Sequence, residues 1–281
     1  MRNLLCVRRG GLGDTLLMIP VLRAMRARAP GAALTFAGVT EFASLLTRYG
    51  VVDVARSSED LGLWGLRAGG AALERVRGRF AAFDWIVGDD QALAELADGE
   101  HRVDVFDPVL LSASTEPAAA QLLARAGLSG SDEVGLVCAR AAPSSDAPVI
   151  LHVGSGSLTK CWPRGALQAL AAALAAVVPL RLVVGPAEVE RGEATGWPSG
   201  VELNAPVNVE ALAAMVANAR AYVGHDSGPT HLAGALRVPT LALFVSTEPR
   251  VWAPAGGHVQ VICDEPTPAT IDRVVALAAR A

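Results

Sequence analysis

The 281-residue chain is long enough for two ordinary domains or one large one, and at 52% apolar and 19% charged residues it carries ample core material. A formal net charge of −4 gives no reason to expect a nucleic-acid partner. No apolar run reaches the roughly 18–20 residues of a membrane span. Leu167–Leu180, the longest candidate, reads as a buried helix. Met1 leads almost directly into a strand, so no signal peptide is expected. Cys6, Cys138, Cys161 and Cys263 form no C-x-x-C pair and read as reduced thiols of a cytosolic protein.

In chain order, Asn3–Val7 reads as a strand, R-R-G-G-L-G-D as a turn, and Thr15–Ala29 as a helix with Leu16, Ile19, Leu22 and Met25 at helical spacing. Strands follow at Leu34–Ala37 and Val51–Val54 around a helix at Glu41–Tyr49. Leu61–Gly78 reads as loop plus a short helix. Asp84–Val87, ending at G-D-D-Q, and Val103–Phe106 are strands, and Glu116–Ala126 is a helix capped by Ser114 or Thr115. A short strand, Val134–Cys138, then leads into A-R-A-A-P-S-S-D-A-P, the best linker in the chain.

After Pro148 the strand–glycine turn–helix pattern restarts: strand Val149–Val153, turn G-S-G-S-L-T-K-C-W-P, and helix Arg164–Val177 with Pro163 at its start. Strands Leu182–Val184 and Val201–Leu203, helix Val209–Arg220, strands Ala221–Val223, Thr240–Phe244 and Val259–Cys263, and a last helix Ala269–Arg280 complete it. The reading is α/β: two doubly wound, Rossmann-like domains, 1–147 and 148–281, with ligands at the carboxyl ends of the strands and a cleft between the halves.

Three turns carry the chemistry. In Y-V-G-H-D-S-G-P-T-H (Tyr222–His231), Asp226 or Ser227 caps a helix whose first turn holds Gly228 and Pro229. Such a turn leaves backbone N–H groups at the positive helix end, an ordinary phosphate site, with Ser227, Thr230 and His231 close by. A well-capped helix without a ligand is the plain alternative. The first turn is not G-x-G-x-x-G. It places Asp14 at a helix start, either as a cap worth about 1 kcal/mol or as a general base facing the cleft. The second turn joins Ser155 and Gly156 to Lys160, whose charge suits a departing phosphate, without the spacing of a Walker A loop.

Glu188 and Glu190 open a helix after a strand, where a carboxylate can accept from ribose hydroxyls or simply face solvent. His225, Asp226 and His231 lack the one-face spacing of a metal site. Ser227 lacks the G-x-S-x-G elbow of acyl transfer. Arginines gather at Arg2, Arg8, Arg9, Arg23, Arg26 and Arg28, suiting an anionic partner or a solvated helix face.

These motifs together resemble glycosyltransferase family 9, the heptosyltransferase family of lipopolysaccharide core assembly. The resemblance rests on R-x-x-x-x-G-D (Arg8, Gly13, Asp14), H-x-G-S-G-x-x-x-K-x-W-P (His152–Pro163), D-S-G-P-T-H-L-A (Asp226–Ala233), and P-T-L-A-L-F with T-E-P-R-V-W-A-P (Pro239–Pro254). It implies a GT-B fold, with an acceptor-side N-terminal domain and a nucleotide-sugar donor domain after it. It further implies inverting, metal-independent transfer without a cofactor, by a cytoplasmic enzyme with peripheral contact at the inner membrane left open.

By resemblance, Asp14 is the base, and Lys160 with Ser155, Gly156, Asp226, Ser227, Gly228 and His231 holds the donor diphosphate. Glu190, with Glu188 as the alternate, meets the ribose, and Arg8 and Gly13 face an anionic or lipid-linked glycan acceptor. The chain is shorter than typical members, mostly in its first half. Nothing at Val207, where the base-binding helix would begin, distinguishes ADP-heptose from another nucleotide sugar. A non-catalytic nucleotide-sugar-binding protein and a nucleotide-sugar epimerase are the alternatives.

Overall fold

The computed structural model describes residues 1–97, 101–107, 114–137, 140 and 142–281. The chain divides into two compact units, Met1–Leu136 and Val137–Ala281, so the segment read as a linker is counted with the second.

The first unit runs β1 (Asn3–Val7), α1 (Leu12–Leu17), α2 (Ile19–Arg28), β2 (Ala33–Gly38), α3 (Thr40–Arg48), β3 (Val54–Ser57), α4 (Trp64–Ala68), α5 (Gly70–Phe80), β4 (Trp85–Gly88), a 3-10 turn at Gln91–Leu96, β5 (Arg102–Val105) and α6 (Ala118–Arg125). Its five strands lie in the order β3-β2-β1-β4-β5, each pair parallel. β1 and β4 are central and almost wholly buried, which is why they read as unbroken apolar runs.

The second unit runs β6 (Val149–His152), a 3-10 turn at Leu158–Lys160, α7 (Arg164–Ala175), β7 (Leu180–Val183), α8 (Pro186–Glu190), β8 (Glu202–Asn204), α9 (Val209–Ala217), β9 (Ala221–His225), α10 (Gly228–Ala235), β10 (Thr240–Leu243), α11 (Pro249–Trp252), β11 (Val259–Ile262) and α12 (Pro268–Arg280). Its order is β11-β10-β9-β6-β7-β8, again all parallel. Counted within the unit, this is the 3-2-1-4-5-6 order of the doubly wound nucleotide-binding fold. α7 buries Leu167, Leu170, Ala171 and Leu174 in the same core as Val149, Leu151, Val223 and Leu241. Each leucine buried there stabilises by about 1.5–3 kcal/mol, and Leu170→Ala would cost about 2–5 kcal/mol.

Several elements depart from the sequence reading for local reasons. The first helix begins at Leu12 and breaks at Met18, because Pro20 has no N–H to continue the ladder. The third strand starts at Val54, since Val51 and Val52 give their N–H groups to Leu46 O and close α3 instead. The Leu61–Gly78 region holds two helices, the second running Gly70–Phe80. α6 is preceded by Pro117 at its N-cap, not by Ser114 or Thr115; Ser114 Oγ accepts the Glu116 N–H in a local turn.

No strand forms over Val134–Val137. There the Glu133 and Gly135 carbonyls accept from Arg23, and the Val137 carbonyl from Arg237 Nε. Cys138, the end of that expected strand, and part of the expected linker lie outside the described residues. The basic cluster also resolves into ties within the first unit. Arg26 bonds to Val51 O and Asp53, and Arg28 to Gly127 O, so together with Arg23 these arginines fasten α2 rather than form an anion-binding face. No helix among the described residues is long and apolar enough to cross a membrane.

Candidate active site

In each sheet the strand order reverses once, between β1 and β4 in the first unit and between β6 and β9 in the second. The loops leaving the carboxyl ends of those strand pairs diverge, and ligands of doubly wound sheets lie there. All three motif turns leave strands at these two places.

In the second unit, Ser227 is the N-cap of α10, and its side chain makes no capping bond. Its carbonyl accepts from both Thr230 N–H and His231 N–H, at 3.1 and 3.2 Å. Pro229 has no N–H. The amides of Ser227 and Gly228 therefore have no protein acceptor among the described residues, at the positive end of the helix dipole. Asp226, read as an alternative cap, instead gathers side chains around its buried carboxylate. Its Oδ2 accepts from Lys160 Nζ at 2.7 Å and Thr247 Oγ1 at 2.8 Å, and its Oδ1 stands 4.0 Å from His231 Nε2. Its backbone carbonyl accepts from Ser155 Oγ at 2.7 Å, which ties the β6–α7 loop to the β9–α10 loop. Lys160 keeps a third of its side-chain surface exposed, so its charge remains open to a ligand. Gly156 is exposed on the same loop.

Behind this loop lies a buried polar layer. His152 ends β6 and His225 ends β9. Burial, above all else, lowers the pKa of both. For His152 the Glu188 charge opposes the shift, whereas for His225, held at about 4, His152 adds to it. The Tyr222 hydroxyl is pushed up by burial and faces Thr230 Oγ1 at 3.5 Å, whose own hydroxyl donates to His225 O.

Glu188 and Glu190 differ sharply. Glu188 is buried at the third position of α8, where Oε2 accepts the Gly185 N–H at 2.7 Å and Oε1 meets Arg191 at 2.9 Å. It fits only because residue 154 is glycine: a Cβ there would fall 2.0 Å from Glu188 Oε1. Glu190 is exposed at the end of the same helix.

The first unit's switch point is built from charge. Arg8, buried at the end of β1, gives Nη2 to Asp14 Oδ1 at 2.7 Å and Nη1 to Asp89 Oδ2 at 3.1 Å. Asp14 sits in the first turn of α1, one residue after Gly13, and its Oδ2 accepts the Gly11 N–H at 3.0 Å. It is a first-turn capping carboxylate, and 41% of its side chain still faces solvent. Gly10, at φ +150°, makes room for it: a Cβ there would fall 2.6 Å from Asp14 Oδ2. Burial raises the Asp89 pKa against the lowering effect of Arg8. Beside it, Asp90 is buried and takes two exposed arginines, Arg9 at 2.8 Å and Arg67 at 2.5 Å.

Sequence reasoning passed over Asp89, Asp90, Arg67, Thr247 and the roles of His152 and His225. The G-D-D-Q strand end was visible, and its position at the end of a strand was the usable signal. Among the described residues no three of His, Cys, Asp and Glu converge as a metal would need.

Two parallel Rossmann-type sheets in one chain, each with its polar residues at the strand-order reversal, make up a fold of the GT-B type. The family model for glycosyltransferase family 9 (heptosyltransferase) matches residues 116–276, more than half of the chain, and the protein belongs to that family.

Over 116 residues it is 40% identical to lipopolysaccharide heptosyltransferase 1 of Pseudomonas aeruginosa, covering 40% of this chain and 32% of that protein. Over 115 residues it is 29% identical to lipopolysaccharide heptosyltransferase 3 of Escherichia coli, covering 38% and 33%. The chain thus spans about a third of the length of these curated relatives.

Among solved structures, Escherichia coli ADP-heptose lps heptosyltransferase II aligns over 100% of this chain and 99% of its own, at TM-score 0.73 and 20% identity. Escherichia coli heptosyltransferase WaaC with ADP aligns over 99% of each, at 0.71 and 19%. A glycosyl transferase family 9 protein from Veillonella parvula aligns over 100% and 98%, at 0.75 and 15%. These likenesses establish the fold. The motif containing Asp14 lies outside the stretch that the family model matches.

Proposed function

We propose that the protein is an inverting, metal-independent glycosyltransferase. It would move a heptose or similar sugar from a nucleotide-sugar donor to a hydroxyl of a lipopolysaccharide-type or other anionic glycan. The observation that carries this reading is the second unit's switch point, where the open Ser227 and Gly228 amides stand with Lys160 in a chain of the heptosyltransferase family. ADP-heptose is the favoured donor, because one similar structure is named for that sugar and another was solved with ADP.

In this reading the second unit is the donor domain. Gly156, Ser227 and Gly228 admit the diphosphate, and Lys160 exchanges its bond to Asp226 for one to a phosphate oxygen. Asp226, Ser155 and His231 keep the loops in place. Glu190, exposed beyond the buried Glu188, meets the ribose. The first unit is the acceptor domain, and Asp14 takes the proton of the acceptor hydroxyl. The hydroxyl oxygen then bonds to the anomeric carbon from the face opposite the diphosphate. The carbon–oxygen bond to phosphate breaks, and its electron pair leaves on the nucleoside diphosphate. Lys160 and the α10 amides would stabilise that charge, so neither a metal nor another cofactor is called for.

Arg8 is occupied by Asp14 and Asp89 and orients the base beside Gly13. The exposed Arg9 and Arg67, aimed by Asp90, are better placed to meet acceptor anions. The enzyme would act in the cytoplasm, peripheral to the inner membrane where its acceptor is lipid-linked. Calorimetric titration with a panel of nucleotide sugars tests the reading, followed by detection of nucleoside diphosphate released with candidate acceptors. Binding and acceptor-dependent release support it. Binding without release marks a non-catalytic binder, and interconversion of the donor sugar alone marks an epimerase.

A further inference from the structure

The β6–α7 loop, residues 153–163, carries Lys160, and three polar ties join it to the end of β9. Ser155 Oγ bonds to Asp226 O, Lys160 Nζ to Asp226 Oδ2, and the Trp162 N–H to His225 Nε2 at 2.9 Å. The Trp162 and His225 rings also meet edge to face, with centroids 6.5 Å apart. A phosphate that recruits Lys160 competes for the second tie. The bond to His225 does not involve Lys160 and survives the exchange.

We propose that His225 is a positioning residue: its neutral imidazole accepts the Trp162 N–H and holds Lys160 at the height of Asp226. The geometry fixes the tautomer. An acceptor Nε2 has no proton, so a neutral ring carries it on Nδ1. An imidazolium would set N–H against N–H and push the loop away. Burial and the neighbouring His152 keep the ring neutral at ordinary pH. His225 Nδ1 is buried without a well-formed hydrogen bond, with only the Gly154 carbonyl nearby, and an apolar side chain of similar size would avoid that cost. What a histidine contributes here is therefore Nε2, bonded to an amide two residues from Lys160 and carried by the residue next to Asp226.

The inference rests in part on reading Lys160 as a diphosphate ligand, so the test has one arm independent of that reading. Glutamine places its Oε1 near where Nε2 stood, whereas asparagine reaches only the Nδ1 position. With ADP as the probe, His225→Leu and His225→Asn should each weaken binding by roughly tenfold, and His225→Gln should stay within about threefold of wild type. Gln and Asn variants of equal Tm but equal ADP affinity would overturn the proposal. So would wild-type affinity in His225→Leu.

The independent arm is ¹⁵N NMR with hydrogen exchange on the whole protein. The wild type should show His225 protonated on Nδ1, with a Trp162 amide that exchanges slowly in the wild type and His225→Gln and fast in His225→Asn. An Nε2-protonated ring, or a Trp162 amide equally protected in both variants, would refute the positioning role. Failure of the wild type to bind ADP or any other nucleoside diphosphate would refute the donor-site reading, while the NMR arm still decides the hydrogen bond.

Discussion

The two units share one topology and differ in what they place at its reversal point. At the end of β6 and β9 stand small residues, hydroxyls, one lysine and two open amides, gathered by one buried carboxylate. At the end of β1 and β4 stand three arginines and three aspartates, with Arg8 shared between two of the acids and Asp90 between two of the bases. The first arrangement leaves positive potential free for an anion. The second spends most of its charge internally and leaves an exposed carboxylate and two exposed guanidinium groups facing solvent. The fold chooses the place, and the side chains choose the chemistry.

Asp14→Asn would break the comparison most sharply. Asparagine can keep one acceptor oxygen for Arg8 or the Gly11 N–H, so the turn should persist while the proton acceptor is lost. Steady-state kinetics with the true acceptor should show kcat lowered by about 10²–10⁴, with ADP affinity near wild type. Full turnover in this variant would leave Asp14 as a helix cap alone and move attention to Asp89.

Two glycines of one loop give the next contrast. Gly154→Ala drives a Cβ into Glu188 and displaces a buried carboxylate from its N–H donor and Arg191. Urea denaturation should show a loss of about 3 kcal/mol. Gly156→Ala meets nothing within 4 Å and should leave stability within about 0.5 kcal/mol. If a diphosphate lies against this backbone, the same variant should still weaken ADP binding. An unfolded Gly156→Ala, or an unperturbed Gly154→Ala, would mean the loop is packed otherwise.

These residues also show what a sequence can disclose. The β9–α10 turn was legible because every determinant is local: a short apolar run, a glycine, a serine and a proline at the second helical position. Lys160 was legible through its motif. The pairing of Arg8 with Asp89 and the two partners of Asp90 were not, since Asp89 comes 81 residues after Arg8 and Asp90 comes 81 after Arg9 and 23 after Arg67; the β1–β4 pairing brings the first two together and the packing of α4 the third. The choice between Glu188 and Glu190 depends on the space that Gly154 leaves in the neighbouring β6–α7 loop. The spacing of His225 argues against a metal site and gives it no other role, because nothing local in the sequence points to the Trp162 amide above it.

Acid stability sharpens the comparison from the side of the buried layer. The unfolded chain protonates His225 near its ordinary pKa of 6.5, while the folded chain resists until about 4. Between those values the unfolded state binds more protons, so the contribution of this ring is fully present at pH 7 and is lost as pH falls toward 4. The loss is roughly 3 kcal/mol, and His152 shifts in the same direction. In unfolding titrations from pH 7 to 4, His225→Gln should lose less stability than wild type, because glutamine has no proton to bind. Parallel curves would show that His225 is solvated rather than buried.

The smallest effect belongs to the exposed arginines of the first unit. Arg9 and Arg67 are each more than half exposed, and both point their charge at Asp90, whose side chain is 2% exposed. Losing either one alone should cost folding little, because the buried Asp90 carboxylate keeps the other arginine and the Ala92 N–H. In the proposed reaction their value would lie in aim, two cations fixed by one carboxylate toward a phosphate or carboxylate of the acceptor. Arg9→Ala and Arg67→Ala should each raise the acceptor KM by about two- to fivefold at low salt, with Tm and ADP affinity unchanged. Because the attraction is screened, the gap to wild type should close as ionic strength rises past about 0.5 M. A KM effect that ignores salt would point to shape rather than charge, and no effect on any anionic acceptor would remove these residues from the acceptor site.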